Sequence, residues 1–399
     1  MNGGLATERP WLIRIFGHDR PRLTHELLAL LGEADAELDD MEQLVVRERL
    51  TLDVLVRFGA DASLDARQRI LQRVADWGAG HALSVSASQV ESISSRAELP
   101  RHAVTVLGDR LPPAALAAVA EAIATSGGNI DRIVRLARTP VIAYDLAVIV
   151  DDPDRMRRAL MAVAHDHRLD IAVQAGGLER LAKRLVVMDV DSTLIADEVI
   201  ELLADEAGVG RQVAMITQRA MAGELDFEES LRARVRLLAG LDVDAIERAR
   251  RRIRLTPGAR TFVATLQRLG AKVAIISGGF TPFTDWLQAE LQLDHAYANV
   301  LETRDGVLTG ELLGDVVDRG RKAALLSRIA ADEGIPLSQT VAIGDGANDL
   351  DMLAAAGLGI AFNAKPIVRR QVGTTVSVPY LDAILFMLGL RGRDVERSE

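Results

Sequence analysis

The sequence contains no cysteine. That excludes disulfides, a thiolate metal site and a cysteine nucleophile together. Cations are outnumbered, 47 Lys and Arg against 57 Asp and Glu for a net charge of −10, so no general affinity for nucleic acid or an anionic membrane is expected. Long apolar runs are missing too: none approaches the roughly eighteen residues of a membrane span. The opening MNGGLATERP lacks the basic stretch and apolar core of a secretory signal. What is present, 49% apolar and 26% charged residues over 399 positions, is the composition of a soluble globular protein of two or three domains. A cytoplasmic location is the simplest expectation.

Roughly the first 180 residues read as one unit written twice. WLIRIFGHDRPRLTHELLALLGEADAELDDMEQLVVRERLTLDVLVRF, from Trp11, runs apolar strand, Gly17 loop, amphipathic helix and two strands. HAVTVLGDRLPPAALAAVAEAIATSGGNIDRIVRLARTPVIAYDLAVIV, from His102, repeats that order. Gly17 matches Gly108, Asp39 matches Asp131 and Asp53 matches Asp145, at offsets of 91, 92 and 92. Each copy continues into a second helix, such as DARQRILQRVADWG from Asp65, and a last alternating strand, such as HALSVSA from His81. Strand-helix-strand-strand-helix-strand predicts a ferredoxin-like α+β sandwich on an antiparallel sheet. Between the copies, QVESISSRAELP from Gln89 is polar, ends in proline and suits a linker.

This pattern resembles the ACT domain, a small-molecule regulatory module that commonly binds amino acids and pairs sheet to sheet with another copy. GHDRPRLT, from Gly17, resembles the family's ligand loop, with Arg22 where a second glycine is common and where a side chain crowds the pocket. The second copy keeps Gly108 and Asp109, but RLPP replaces the rest of the motif. The competing expectation is a pair of structural or dimerising domains without ligand.

From about residue 181 strands alternate with helices, the sign of a parallel, doubly wound α/β sheet. RLVVM from Arg184, KVAIIS from Lys272 and TVAIG from Thr340 are the strand candidates. Ligand crevices of such sheets lie beyond the carboxyl ends of strands, so the three following turns should converge. Between the first two strands, about residues 197–256 carry apolar residues at helical spacing and predict a helical cap. The expected division is residues 1–97, 98–180 and 181–399.

In the first turn, VVMDVDSTLIADE places Asp189 and Asp191 two residues apart at a strand end. Residues i and i+2 of an extended segment point to one side. Two carboxylates so placed either bind a cation or divide labour as nucleophile and acid/base. A calcium loop needs glycine at its sixth position and glutamate at its twelfth, where this chain has Leu194 and Ile200. The second turn, Ser277 to Phe280, reads SGGF before a helix from about Pro282; a hydroxyl and backbone N–H groups at a helix start cradle an anion. The third, GDGANDLDM from Gly344, adds Asp345 and Asp349 with Asn348 between them. Acids arriving from two strand ends suit magnesium, which takes few carboxylates plus waters and phosphate. Lys322 in DRGRKAALL stands at a helix start. Such a lysine is ordinarily a solvated charge, and its place in the ordered series singles it out.

The series DxDST, SGG, lysine and GDGxND resembles the haloacid-dehalogenase superfamily, and within it the phosphoserine phosphatases carrying tandem N-terminal ACT domains, as in mycobacteria. The resemblance implies that Asp189 attacks phosphorus and forms an aspartyl-phosphate, while Asp191 protonates the leaving oxygen and then activates water. It implies Mg2+ held by Asp189, Asp191 through its backbone carbonyl, and Asp345, with Asp349 behind them. Ser277, Gly278 and Lys322 would hold phosphoryl oxygens, with Asn348 among the substrate-binding residues. Glu198, nine residues after Asp189, matches a glutamate that binds the substrate ammonium. Arg234 in FEESLRARV matches an arginine that binds its carboxylate, and Met221 and Phe227 match residues closing the pocket. Asp197 is a departure from the family: it either strengthens ammonium binding or faces solvent.

The resemblance therefore implies Mg-dependent hydrolysis of O-phospho-L-serine, the last step of serine biosynthesis, by a homodimer paired through its ACT domains. L-serine is the implied effector, at Gly17, Gly108 and Asp109. The rivals are a phosphatase of another small phosphometabolite or phosphoprotein, and an amino-acid-binding regulator with a vestigial phosphatase half. Two further features are read as structural: ERARRRIR from Glu247 as a solvated cap face with no interleaved aromatics, and His165 with His167 as the end of a helix.

Overall fold

The computed structural model describes residues 9–395 apart from 35, 60–62, 92–100, 178–179, 181 and 222–223. Most of the expected linker, residues 92–100, and the expected start of the third domain at 181 lie outside the described residues. The chain divides into two compact units, Met1–Glu98 and Leu99–Glu399.

In the first unit, β1 (Trp11–His18), α1 (Leu23–Gly32), β2 (Ala36–Val46), β3 (Arg49–Phe58), α2 (Leu64–Gly80) and β4 (Ser84–Gln89) build an antiparallel sheet of order β2-β3-β1-β4. Period-two alternation drives it: Ile13 and Ile15 of β1 and Leu52, Val54 and Val56 of β3 turn inward onto Leu27 and Val74 of the helices. The second helix starts at Leu64, one residue ahead of the run from Asp65, because Ser63 caps it, accepting from Ala66 N at 3.2 Å. The last strand starts at Ser84 and not at His81.

The second unit begins with the repeat: β5 (Arg101–Gly108), α3 (Pro113–Thr125), β6 (Asn129–Ala137), β7 (Ile142–Ile149), α4 (Pro153–His167) and β8 (Asp170–Ala175), with sheet order β6-β7-β5-β8. Asp152 caps α4 by accepting from Arg155 N at 2.9 Å, and His165 and His167 occupy its last turn.

A seven-stranded sheet follows, of order β12-β11-β10-β9-β13-β14-β15. Its centre is β10 (Lys272–Phe280), β9 (Leu185–Met188) and β13 (Thr340–Gly344), the three strands visible in the sequence. Every residue of β9 and β13 is buried, as expected of parallel strands covered on both faces. The sequence reading missed β11 (His295–Arg304), β12 (Val307–Leu313), β14 (Leu358–Phe362) and β15 (Thr375–Val376). Strands β11 and β12 pair antiparallel and add an antiparallel edge to the expected parallel sheet, whose other pairs are parallel. β10 also runs through Phe280, carrying Ser277 inside the strand end and not in a separate turn.

Within residues 197–256 lie α5 (Val199–Glu206), α6 (Gly210–Met221), α7 (Phe227–Arg236) and α8 (Asp244–Arg250). Their entry and exit are stitched together: Ile195 bridges Leu255, and Ala196 N donates to Arg254 O at 2.9 Å. The remaining helices include α9 (Ala259–Arg268), α10 (Thr281–Leu291), α11 (Arg319–Asp332), α12 (Leu350–Ala355), α13 (Pro366–Arg369) and α14 (Ile384–Met387). No helix among the described residues is long and apolar enough to cross a membrane.

The repeat docks on this core through polar bonds. Gln174 Nε2 donates to Met387 O at 2.7 Å, and the buried Asp170 accepts from Ser377 N at 2.7 Å and Thr375 Oγ1 at 3.2 Å. Burial pushes the Asp170 carboxyl up to about 6, outweighing those hydrogen bonds and the Arg369 charge. A carboxyl with a higher pKa in the fold than in the unfolded chain binds its proton preferentially in the fold. Its stabilising share is full below the unfolded value and is lost as pH rises through the folded one. In Asp170→Asn the amide oxygen still accepts from Ser377 and its NH2 donates to Thr375. Urea titrations from roughly pH 4 to 6.5 should show the parent losing about 2 kcal/mol more stability than the variant; parallel curves would contradict this account.

Candidate active site

The parallel register brings three strand ends together. Met188 lies beside Ile275 on one side and Ile343 on the other, so Asp189, Ser277 and Asp345 emerge at one edge of the sheet. Asp189 N donates to Ile343 O at 2.9 Å. The chain then leaves the extended path: Val190–Leu194 is one tight turn with Ser192 at φ 56°. The expected extended pair is therefore corrected, because Asp189 and Asp191 face different neighbours. Asp189 Oδ1 accepts from Val190 N at 2.7 Å and lies 2.8 Å from Lys322 Nζ. Asp191 Oδ1 accepts from Val199 N at 2.7 Å, and its Oδ2 accepts from Ser277 Oγ at 3.2 Å.

Lys322 projects from the first turn of α11, whose N-cap Asp318 accepts from Arg321 N at 2.7 Å. Its side chain is fully buried and also meets Asp349 Oδ1 at 2.7 Å. Burial alone would strip its proton, but the charges of Asp189 and Asp349 outweigh that and raise its pKa. Carboxylate oxygens of Asp189, Asp345 and Asp349 lie within 4.8 Å of one another. One ammonium against three carboxylates leaves negative charge in surplus. Burial, then repulsion from Asp349, lifts Asp189 well above the usual carboxylate range, and the same two causes push Asp345 up to about 7. Burial and the Glu198 charge push Asp191 up to about 7 against its hydrogen bonds from Val199 and Ser277. Hard oxygen donors in negative surplus fit a divalent cation such as Mg2+.

Ser277 Oγ, besides donating to Asp191, accepts from Gly279 N at 2.8 Å. Gly279 has no room for a side chain: a Cβ would lie 2.6 Å from Val199 Cγ2 and 3.1 Å from Asp191 Oδ2. Gly278 O accepts from Asn299 Nδ2 at 2.9 Å, and Asn299 Oδ1 accepts from Val317 N at 2.8 Å. The sequence reading did not single out Asn299, which sits in the unrecognised β11; the signal was a lone polar residue in YANV. Asn348, half-buried, lies in the short turn Ala347–Asp349, where Asp349 Oδ2 accepts from Gly346 N at 3.0 Å.

Glu198 is the N-cap of α5 and accepts from Ser192 Oγ at 2.8 Å. Asp226 and Glu229 form a capping box that starts α7 at Phe227. Phe227 Cζ would be 3.1 Å from a Cβ on Gly278, so the cap reaches the SGG segment. Arg234, part-buried, donates from Nε to Ser230 O at 3.3 Å. Burial lowers its pKa against the opposing charges of Glu198, Asp191 and Glu201, which places the guanidinium in the field of the site. The side chain of Met221 lies outside the described residues.

Asp197 is paired with Arg254. Its carboxylate accepts from Arg254 N at 2.8 Å and Arg254 Nη2 at 2.6 Å, and these bonds lower its pKa although burial opposes them. The rest of the basic run is likewise paired within the cap, Arg248 with Glu206 at 2.7 Å and Arg252 with Asp205 at 2.8 Å. In the repeats, Gly17 is the last residue but one of β1, where a Cβ would strike Leu83 Cδ2 at 2.4 Å, and Gly108 ends β5, where the nearest atom to a Cβ is Arg110 O at 3.3 Å. Asp109 follows on the surface. Arg22 has φ 80°, the left-handed conformation that explains why glycine is common there.

A family model for haloacid dehalogenase-like hydrolases matches residues 186–354, and ACT domain models match residues 9–87 and 100–174. A phosphoserine phosphatase of Streptomyces coelicolor is 51% identical over 97% of this chain and 94% of its own. One of Mycobacterium tuberculosis is 44% identical over 97% and 95%. A crystal structure of a probable phosphoserine phosphatase from Vibrio cholerae, unliganded, superposes with a TM-score of 0.58 at 36% identity, over 74% of this chain and 88% of that one. The fold and site thus define a haloacid dehalogenase-like hydrolase, and the chain belongs to the phosphoserine phosphatase family with N-terminal ACT domains.

Removing the buried ammonium should leave Asp189 and Asp349 uncompensated. Lys322→Met is expected to lower the unfolding free energy in metal-free buffer by about 3–5 kcal/mol, and added Mg2+ should restore part of it. A loss under about 1 kcal/mol, of the size of an exposed pair, would refute the central role of this lysine.

Proposed function

We propose that the chain hydrolyses O-phospho-L-serine to L-serine and phosphate through an aspartyl-phosphate on Asp189. The observation that carries this reading is the meeting of Asp189, Asp191, Ser277, Lys322 and Asp345 at one sheet edge, beneath a cap that contributes Glu198 and Arg234. The relatives named phosphoserine phosphatases support the substrate.

Asp189 attacks phosphorus, and the bond from phosphorus to the serine oxygen breaks. That oxygen takes a proton from Asp191, whose separate setting against Ser277 and Val199 suits a proton carrier better than a second nucleophile. Water then attacks the aspartyl-phosphate, Asp191 takes its proton, and the bond from phosphorus to Asp189 breaks to release phosphate. Ser277, the Gly278 N–H and Lys322 hold the phosphoryl oxygens as charge redistributes, with Asn348 beside them. When bound, Mg2+ would be held by Asp189, the backbone carbonyl of Asp191 and Asp345, with Asp349 behind, and supplies charge that offsets repulsion between nucleophile and phosphate. Glu198 pairs the substrate ammonium, Arg234 its carboxylate, and Met221 and Phe227 close the pocket.

The domain division 1–97, 98–180 and 181–399, with the cap at about 197–256, belongs to this reading. So do a place as the last step of serine biosynthesis, in the cytoplasm, and inhibition by L-serine through the ACT domains at Gly17, Gly108 and Asp109. A homodimer is supported by β2, which leaves Leu38, Leu44, Val45 and Val46 exposed along an edge strand.

The test is phosphate release from L-phosphoserine. Release should require Mg2+, stop on chelation and fall at least about a thousandfold in Asp189→Asn; wild-type protein without turnover would leave the phosphatase half vestigial. Arg234→Ala should raise KM for phosphoserine about 10- to 100-fold, but KM for phenyl phosphate, which lacks a carboxylate, only about twofold or less. Equal effects on both esters would remove Arg234 from carboxylate recognition.

A further inference from the structure

A cleft of about 900 Å³ lies between α4 and β8 of the second repeat and the segment from Pro366 to Ser377. Its size falls in the range of small-molecule sites. Arg157, Arg168, Arg369 and Arg370 line it together with His165, and no carboxylate does among the described residues. The carboxylate of Asp170 lies behind two of the lining residues, accepting from Thr375 and Ser377. Leu160, Ile171 and Val372 supply a buried apolar wall.

These arginines differ from those of the cap. There, Arg248, Arg252 and Arg254 each meet a carboxylate. In the cleft, Arg157 pairs with Asp154 at 2.6 Å, while Arg369 Nε donates to Ala364 O at 2.7 Å and its charge acts on Asp170. Arg168 and Arg370 have no ion pair and no side-chain hydrogen bond among the described residues. Guanidinium groups gathered in a concavity repel one another, and a chain of net charge −10 has acids to spare for neutralising them. Folding stability therefore does not account for the arrangement. A ligand with several negative charges does, since guanidinium forks bind phosphate and carboxylate groups in pairs of hydrogen bonds.

We propose that this cleft binds an organic polyanion of nucleotide size, its anionic groups on Arg168, Arg369 and Arg370 and its apolar part on Leu160, Ile171 and Val372. The site is separate from the reaction centre and does not depend on the hydrolase reading. It adjoins that centre through Lys365, whose N–H donates to Asp345 O at 3.3 Å just ahead of α13.

Isothermal titration of the full chain in EDTA, with ATP as the polyanionic probe, tripolyphosphate as the anion alone and adenosine as the body alone, tests this. ATP should bind, tripolyphosphate more weakly, and adenosine not measurably. The double variant Arg168→Glu with Arg370→Glu should weaken ATP at least about tenfold, and the equal-charge control Arg155→Glu with Arg158→Glu, exposed and outside the cleft, about twofold or less. Matching thermal melts of the two variants show that both fold. Binding of neither ATP nor tripolyphosphate overturns the proposal. So does an affinity unmoved by the Arg168 and Arg370 changes, which puts the probe elsewhere, or one weakened equally by the control, which leaves only net charge.

Discussion

A single buried ammonium organises the catalytic half of the molecule. Lys322 has no exposed surface and contacts Asp189 at 2.8 Å and Asp349 at 2.7 Å. Taking an ammonium out of water costs several kcal/mol, recovered only when its counter-charges are close and well aimed. The requirement ties α11, which carries the lysine, to the ends of β9 and β13, which carry the acids. The same contacts keep one carboxylate fewer than three in check, so a cation-seeking surplus is built into the fold. Asp189, Asp349 and Lys322 are thus one electrostatic unit.

The centre of the sheet was legible because β9 and β13 are buried on both faces and so read as unbroken apolar runs. Acids placed directly after such runs are conspicuous, and the parallel register makes their convergence calculable. The edges were not legible. β12 shows alternating burial, β11 mixes half-buried and charged positions, and β15 is two residues long, so none gives a parallel-strand signal. The partner of Asp197 was not legible for a different reason: Arg254 is 57 residues away, and no local pattern announces a clamp closed across a whole insertion. Asn299 was overlooked because its role, bridging Gly278 O and Val317 N, exists only once β10 and β11 are neighbours.

The repeats show the complementary lesson. Their strand and helix order was readable from alternation and an offset of 91 or 92 residues, while the starts of their second helices are set by the capping residues Ser63 and Asp152. Composition hid the cationic cleft as well. Arg168 and Arg370 are unremarkable singly, and an acidic chain discourages any search for basic sites; only the docking of α4 beside α13 assembles them.

Val199 is the first residue of the cap's first helix, and its N–H is the donor to Asp191 Oδ1 at 2.7 Å. Its side chain fills the space above Gly279. The cap is therefore wired into the electrostatic setting of Asp191. A displacement of that helix would unload one hydrogen bond from Asp191 and hand back the space over Gly279, so the acidity of Asp191 becomes a gauge of where the cap sits.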